Sequence, residues 1–243
     1  MNVTQTPFGL KLGAFMNLTV EESAELSQLH SRRKKFAHGT DMIYQGQPKQ
    51  AAYVLASGWA CSYRLLSGGE RQIISFNIPG DFLGMRSMMA HNTDHNIEPV
   101  TRAEASEVLA ADLSQTFKNS PRFTAAMLWA ISRDEAILME HLVGIGRRDA
   151  KERTAHLLLE LHARLKLVKM TSSSSFACPL TQYLLGDALG LSAVHVNRVL
   201  RELREDGLVT FQHGEVEFHD MKGLIALADF DSDYLDQNGV LLN

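Results

Sequence analysis

The chain has 243 residues, 45% of them hydrophobic and 21% charged, and a formal net charge of -4. This length exceeds one usual domain and predicts two, each large enough to bury a core. No run approaches the ~18 consecutive apolar residues of a membrane span, and the acidic balance excludes a non-specific nucleic-acid coat, though not a site-specific binder.

Only Cys61 and Cys178 are present, so a disulfide framework, a zinc ribbon and a cysteine-ligated iron-sulfur cluster all lack ligands, and both read as reduced structural thiols. Residues Met1 to Phe15 lack the charged-then-apolar order of a secretory signal, so cytoplasm is the expected location. Charge has to be judged locally. From Gly146 to Lys222 there are 11 Lys and Arg against 10 Asp and Glu, whereas Asp229, Asp231, Asp233 and Asp236 place the acidic excess at the C-terminal end.

The basic run Arg32-Arg33-Lys34-Lys35 reads as the solvated end of a helix rather than a DNA-binding arm. From Phe36 to about Leu113 short apolar runs alternate with Gly, Asn, Asp and Pro, as in a small antiparallel sheet structure. Trp59, Cys61, Tyr63 and Leu65 share one face of a strand, and Ile74, Phe76 and Ile78 share one face of the next. Between them Ser67-Gly68-Gly69-Glu70 supplies the glycines a hairpin turn needs. Gly39, Gly46, Gly58 and Gly80 punctuate the rest at strand-like intervals, which points to a barrel or sandwich.

A helix is predicted from Pro121, a good first-turn residue, to about Gly146. Phe123, Met127, Ile131, Leu138, Leu142 and Ile145 form an apolar seam on it, interrupted by Asp134 and Glu135; the seam fits a helix packed on its own barrel or, as the favoured reading, a homodimer. A second helix, about Arg148 to Leu167, carries Leu157, Leu158, Leu161 and Leu165. The run Thr171-Ser172-Ser173-Ser174-Ser175 then reads as a flexible polar loop.

Segment 181–203 is the most informative. Leu185, Leu189, Leu191, Val196 and Val199 fall where two helices crossing at a tight turn bury side chains, Gly186 admits the second helix, and Gly190 sits in the turn. Ser192 is placed to cap the second helix. Its outer face then carries Val194, His195, Asn197, Arg198 and Arg201, and Arg and Asn near a helix N-terminus reach base edges or fix phosphates. Glu202, Arg204 and Glu205 read as solvated or paired along the helix. Two alternating segments, 207–212 and 215–218, flank His213-Gly214, a hairpin signal. Helix, turn, helix and wing in that order describe a DNA-binding module.

Two stretches, Leu189-Gly-Leu-Ser-Ala-Val-His-Val-Asn-Arg-Val-Leu-Arg-Glu-Leu203 and Ile78-Pro-Gly-Asp-Phe-Leu-Gly84, resemble the recognition element and the phosphate-cassette entry of the CRP/FNR superfamily of transcription regulators. The resemblance spans about Phe36 to Leu227. It implies an α+β chain with a jelly-roll-like β-roll of the cyclic-nucleotide-binding type over 1–120, a central dimerisation helix over 121–146, a winged helix-turn-helix over 147–228 and an acidic tail over 229–243. Double-stranded DNA, a second copy of the chain and, for an activator, RNA polymerase are the implied partners, and no membrane is.

An effector pocket would fall at Gly84, Met85, His95, Asn96 and Leu138. Cyclic-AMP-responsive members carry a ribose-binding Glu and a phosphate-binding Arg-Ser pair where this chain has Met85, His95 and Asn96, and base-facing hydroxyls where it has Leu138 and Met139. A neutral His cannot supply the permanent bidentate charge a buried phosphate needs, so cyclic-nucleotide sensing is not expected. Nor is a cofactor. His91 and His95 could hold a haem or metal only if helical, and Asn92-Thr93-Asp94 between them suggests a loop.

Two other function classes compete with a DNA-binding regulator: a small-molecule sensor acting through a protein partner, and an enzyme. For the enzyme the sequence offers no P-loop, nucleophile elbow or His-Glu-x-x-His.

Overall fold

A computed structural model describes residues 2–48 and 51–235. The chain divides into two compact units, one running through Arg133 and the other beginning at Asp134.

In the first unit two helices precede the sheets, α1 (Pro7–Phe15) and α2 (Val20–Leu29). Only α2 is implied by the sequence, as the helix before the basic run. Pro7 occupies the first turn of α1 behind the Thr6 cap, and α2 starts with a capping box between Thr19 and Glu22, so both helices have local start signals. The basic run is not a helix end. It forms the edge strand β1 (Arg33–Phe36) of an antiparallel four-stranded sheet with β2 (Ala52–Ser57), β5 (Phe82–Leu83) and β7 (Ala103–Val108), ordered β1-β7-β2-β5. A second antiparallel sheet holds β3 (Ala60–Leu65), β4 (Arg71–Asn77) and β6 (Asn96–Pro99), ordered β4-β3-β6.

The β3–β4 hairpin corrects one face assignment. A bulge breaks the register between Ser62 and Tyr63, and the extra residue on β4 puts Ile73 rather than Ile74 in the core beside Phe76, because a bulge shifts side-chain alternation by one. Leu65, at the hairpin end, is exposed. The predicted Ile78–Gly84 motif closes on itself, with the Asp81 carboxylate accepting from the Ile78 amide at 2.8 Å and pairing with the buried Lys11 ammonium at 3.1 Å. This pins α1 to the sheet. Two short helices, α3 (Met85–Met89) and α4 (Ala110–Asn119), complete the unit, and one core in it gathers Phe8, Leu12, Leu26, Val54, Leu113 and Phe123.

The long helix α5 runs Pro121–Arg147. Phe123 and Met127, assigned to the dimer seam from sequence, are instead fully buried in the first unit's own core. The large apolar side chains that α5 exposes are Leu128, Ile131, Leu138, Met139, Leu142, Val143 and Ile145.

The second unit contains α6 (Ala150–Leu167), α7 (Gln182–Leu189), α8 (Ala193–Glu205), α9 (Met221–Ala228) and a three-stranded antiparallel sheet ordered β8-β10-β9, with β8 Ser175–Ala177, β9 Val209–Gln212 and β10 Glu215–Phe218. The start of α6 is set by Asp149, whose side chain caps the first turn in a capping box with Glu152, two residues later than Arg148. The serine run is ordered. Thr171 Oγ1 donates to Ser175 O at 2.6 Å, Ser172 Oγ accepts from the Ser175 amide at 2.9 Å, and β8 begins there. Of the acidic tail, Ser232–Leu235 form a 3-10 turn with Leu235 buried, while 236–243 lie outside the described residues.

Candidate nucleic-acid interface

The site is built on α7 and α8. Thr181 caps α7 by accepting from the Leu184 amide, and Gly190 ends it at φ +64, a left-handed conformation that is costly for other residues. Gly186 is required for a different reason. A Cβ there would lie 2.5 Å from the Leu191 carbonyl oxygen, whereas Gly186 O accepts from the Leu191 amide at 3.0 Å. Ser192 Oγ then accepts from the His195 amide at 3.2 Å and starts α8. Leu185, Leu189, Val196, Val199 and Leu203 are buried as the spacing predicts, while Leu191 is only half-buried.

On the outer face Val194 is 81% exposed, His195 is half-buried, and Ser192, Asn197, Arg198 and Arg201 are exposed. The Asn197 amide donates to Gln182 Oε1 at 3.2 Å, which braces α8 against α7. Arg198 pairs with Glu202 at 3.7 Å and Arg201 with Glu205 at 3.8 Å. Such exposed i to i+4 pairs contribute only a few tenths of a kcal/mol, so both guanidiniums are available to an anionic partner.

The wing is β9 and β10 joined at His213-Gly214, both at positive φ (+53 and +76). Two positive φ values define the hairpin turn that matches strand twist. The wing tip, α8 and the start of α7 enclose an open groove of about 430 Å³ lined in part by Thr181, Gln182, Gln212 and His213. Cys178 beside the wing is buried, and burial pushes its thiol up to about 12, which leaves it unreactive at neutral pH.

Four of the predicted effector residues, Gly84, Met85, His95 and Asn96, are held by the fold, whereas Leu138 is exposed. Gly84 starts α3 at φ +75, and a Cβ there would meet Ile43 at 2.2 Å. Met85 packs against the first core. His95 Nδ1 lies 2.8 Å from Asp94, which also pairs with Arg86 at 2.8 Å, and the buried Asn96 side chain accepts from the Gln45 amide at 2.8 Å. Leu138 belongs to the second unit. His91 is exposed in a bend, and among the described residues no group of three His, Cys, Asp or Glu could hold a metal ion.

Sequence reasoning missed a buried polar cluster in the second unit. Glu160 on α6, with no exposed surface, is 2.8 Å from His141 Nε2 and 3.0 Å from Arg164, and it accepts from the Tyr234 hydroxyl at 3.4 Å. Burial would raise the Glu160 carboxyl, but the facing His141 and Arg164 hold it down at about 2. The only sequence signal was a Glu inside the apolar run Leu157-Leu-Leu-Glu-Leu161.

Helix, glycine turn, capped second helix and wing define a winged helix-turn-helix protein. Residues 152–227 match the Crp-like helix-turn-helix domain and 33–120 the cyclic nucleotide-binding domain. The nitrogen fixation regulation protein FixK of Bradyrhizobium diazoefficiens is 28% identical over 85% of this chain and 87% of its own length. The transcriptional activator protein anr of Pseudomonas aeruginosa is 24% identical over 88% and 87%. The solved structure of FixK2 from Bradyrhizobium japonicum superposes with a TM-score of 0.71 at 26% identity, covering 80% of this chain and 96% of that one. The chain belongs to the CRP/FNR family of DNA-binding transcription regulators.

Proposed function

We propose that the chain acts in the cytoplasm as a homodimer that reads a two-fold DNA site, with α8 of each protomer in the major groove. The observation that carries this reading is the outer face of α8, where Val194, Arg198 and Arg201 are exposed on a helix whose start and tilt are fixed by Ser192, Gly190 and Gly186. A sensor acting only through a protein partner would not need that face. The activator names of relatives such as anr support activation, and with it RNA polymerase as a partner.

Val194 cannot accept a hydrogen bond from a cytosine amino group, but its methyls suit a thymine methyl, while Arg198 can pair with guanine or a phosphate. In vitro selection should return palindromes with half-sites about 34 Å apart. If Arg198 contacts a base, Arg198→Ala should cost about 1–3 kcal/mol and relax preference at one position, and Val194→Glu should move preference toward cytosine at the facing base pair. An unchanged preference at every position in Val194→Glu would show that residue 194 does not face the bases.

The effector remains outside the cyclic nucleotides in this reading, and the protein works without a haem or metal. His95 is engaged by Asp94, and Asn96 is committed to Gln45, so a cyclic phosphate would leave water without replacement hydrogen bonds. Calorimetry with cyclic AMP and cyclic GMP should show no binding at micromolar ligand. Saturable binding there would overturn the expectation.

A further inference from the structure

The basic run Arg32–Lys35 is not a uniform cationic stripe. Arg32 pairs with Asp112, Lys34 with Glu107 at 2.6 Å and Lys35 with Glu104 at 3.5 Å. Among the described residues no carboxylate lies within ion-pair distance of Arg33. In the β1–β7 register Lys35 faces Glu104 and Arg33 faces Ser106, so Arg33 and Glu104 are diagonal neighbours on one face of the sheet, close enough to grip one small molecule from two sides.

Both side chains line a cleft of about 350 Å³ between the start of α1 and the sheet edge. The half-exposed Pro7 and Ala56 supply apolar wall over the buried Phe8 and Leu55, and Ser57 adds a hydroxyl. His30 also lines it. Its Nδ1 donates to the Leu26 carbonyl at 2.9 Å, and burial, with Arg33 pushing the same way, holds the imidazole below its ordinary value, so the ring is neutral and its other nitrogen is an acceptor. The Lys35–Glu104 contact is long and Lys35 is 85% exposed, so a ligand ammonium can take that carboxylate over. The volume is at the small end for ligand pockets.

We propose that this cleft binds a free α-amino acid with an apolar side chain, its carboxylate on Arg33, its ammonium on Glu104 and its side chain against Pro7 and Ala56. The site is separate from the Gly84–Asn96 region and does not depend on how the protein reads DNA.

Calorimetry on the full-length protein with L-leucine and L-phenylalanine, alongside 4-methylpentanoate and isoamylamine, tests it. At least one amino acid should bind saturably, and each analogue lacking one charge should bind on the order of tenfold or more weaker, as expected for loss of a charged hydrogen bond. Arg33→Gln and Glu104→Gln should each weaken binding to a similar degree, with circular dichroism and melting temperature near wild type. No binding of either amino acid at millimolar concentration would overturn the proposal, as would wild-type affinity in folded Arg33→Gln. Equal affinity for 4-methylpentanoate would overturn the assignment of the ammonium to Glu104.

Discussion

Glu160→Ala should destabilise the protein by about 3–5 kcal/mol, the usual cost of removing one partner from a buried ion pair. The carboxylate has no exposed surface and meets three groups, His141, Arg164 and Tyr234, from α5, α6 and the C-terminal 3-10 turn. Arg164 is itself buried, so truncation leaves a guanidinium in the interior without the Glu160 carboxylate it meets at 3.0 Å. Denaturant unfolding of wild type and variant at neutral pH measures the loss, and a difference under 1 kcal/mol would show that the cluster is relaxed or hydrated in solution.

The same cluster sets a pH dependence. The folded Glu160 value, about 2 against an ordinary 4.5, is depressed, so its stabilising contribution is present above about 4.5 and is lost as pH falls toward 2. Neighbouring His156 is also depressed, to about 4, first by burial and then by Arg148. Between pH 6.5 and 4 the unfolded chain therefore takes up a proton that the folded chain refuses, and stability falls by up to about 1.4 kcal/mol per pH unit. His156→Gln should flatten the slope in that window and leave the loss below pH 4.5 in place.

Leu138→Glu should convert a dimer into a monomer. The exposed apolar residues of α5 follow a seven-residue repeat, with Ile131, Leu138 and Ile145 in one row and Leu128 and Leu142 in the next, where Glu135 is the one polar interruption. This is the spacing of a two-helix seam. Leu142 is 67% and Leu138 42% exposed in the single chain, so a partner helix would take both out of water. A carboxylate at 138 would face its symmetry mate at a cost of several kcal/mol, raising the dissociation constant at least about a hundredfold. Because Leu138 is half-exposed, the protomer should still fold. Sedimentation at micromolar concentration distinguishes the two states, and a monomeric wild type would refute the seam.

The assignment of that seam shows what sequence can resolve. Two faces of α5 are apolar at helical spacing, and periodicity alone joined Phe123 and Met127, which serve the protomer's own core, to Ile131, Leu138, Leu142 and Ile145, which do not. The helix-turn-helix was legible because its constraints are local: a left-handed Gly190, a Cβ-free Gly186 and the Ser192 cap all act within a few residues. The wing turn at His213-Gly214 was legible for the same reason.

What stayed hidden depends on distant partners. Lys11 is buried because Asp81 meets it 70 residues away, and Glu160 is buried because His141 and Tyr234 arrive from other elements. In both cases the charged residue alone reads as solvated. The β4 face was misassigned because a bulge leaves no mark in the residue pattern, and β1 was misread because Lys34 and Lys35 are matched by carboxylates on the paired strand β7.

The central claim, that a dimer reads a two-fold DNA sequence through α8, is tested most directly by titrating a selected palindromic duplex with the full-length protein at physiological salt. Anisotropy should show two protomers per duplex, and a scrambled duplex should bind about 10³-fold or more weakly, the usual margin between specific and non-specific sites. Equal affinity for the palindrome and the scrambled duplex, or saturation at one protomer per duplex, would contradict it.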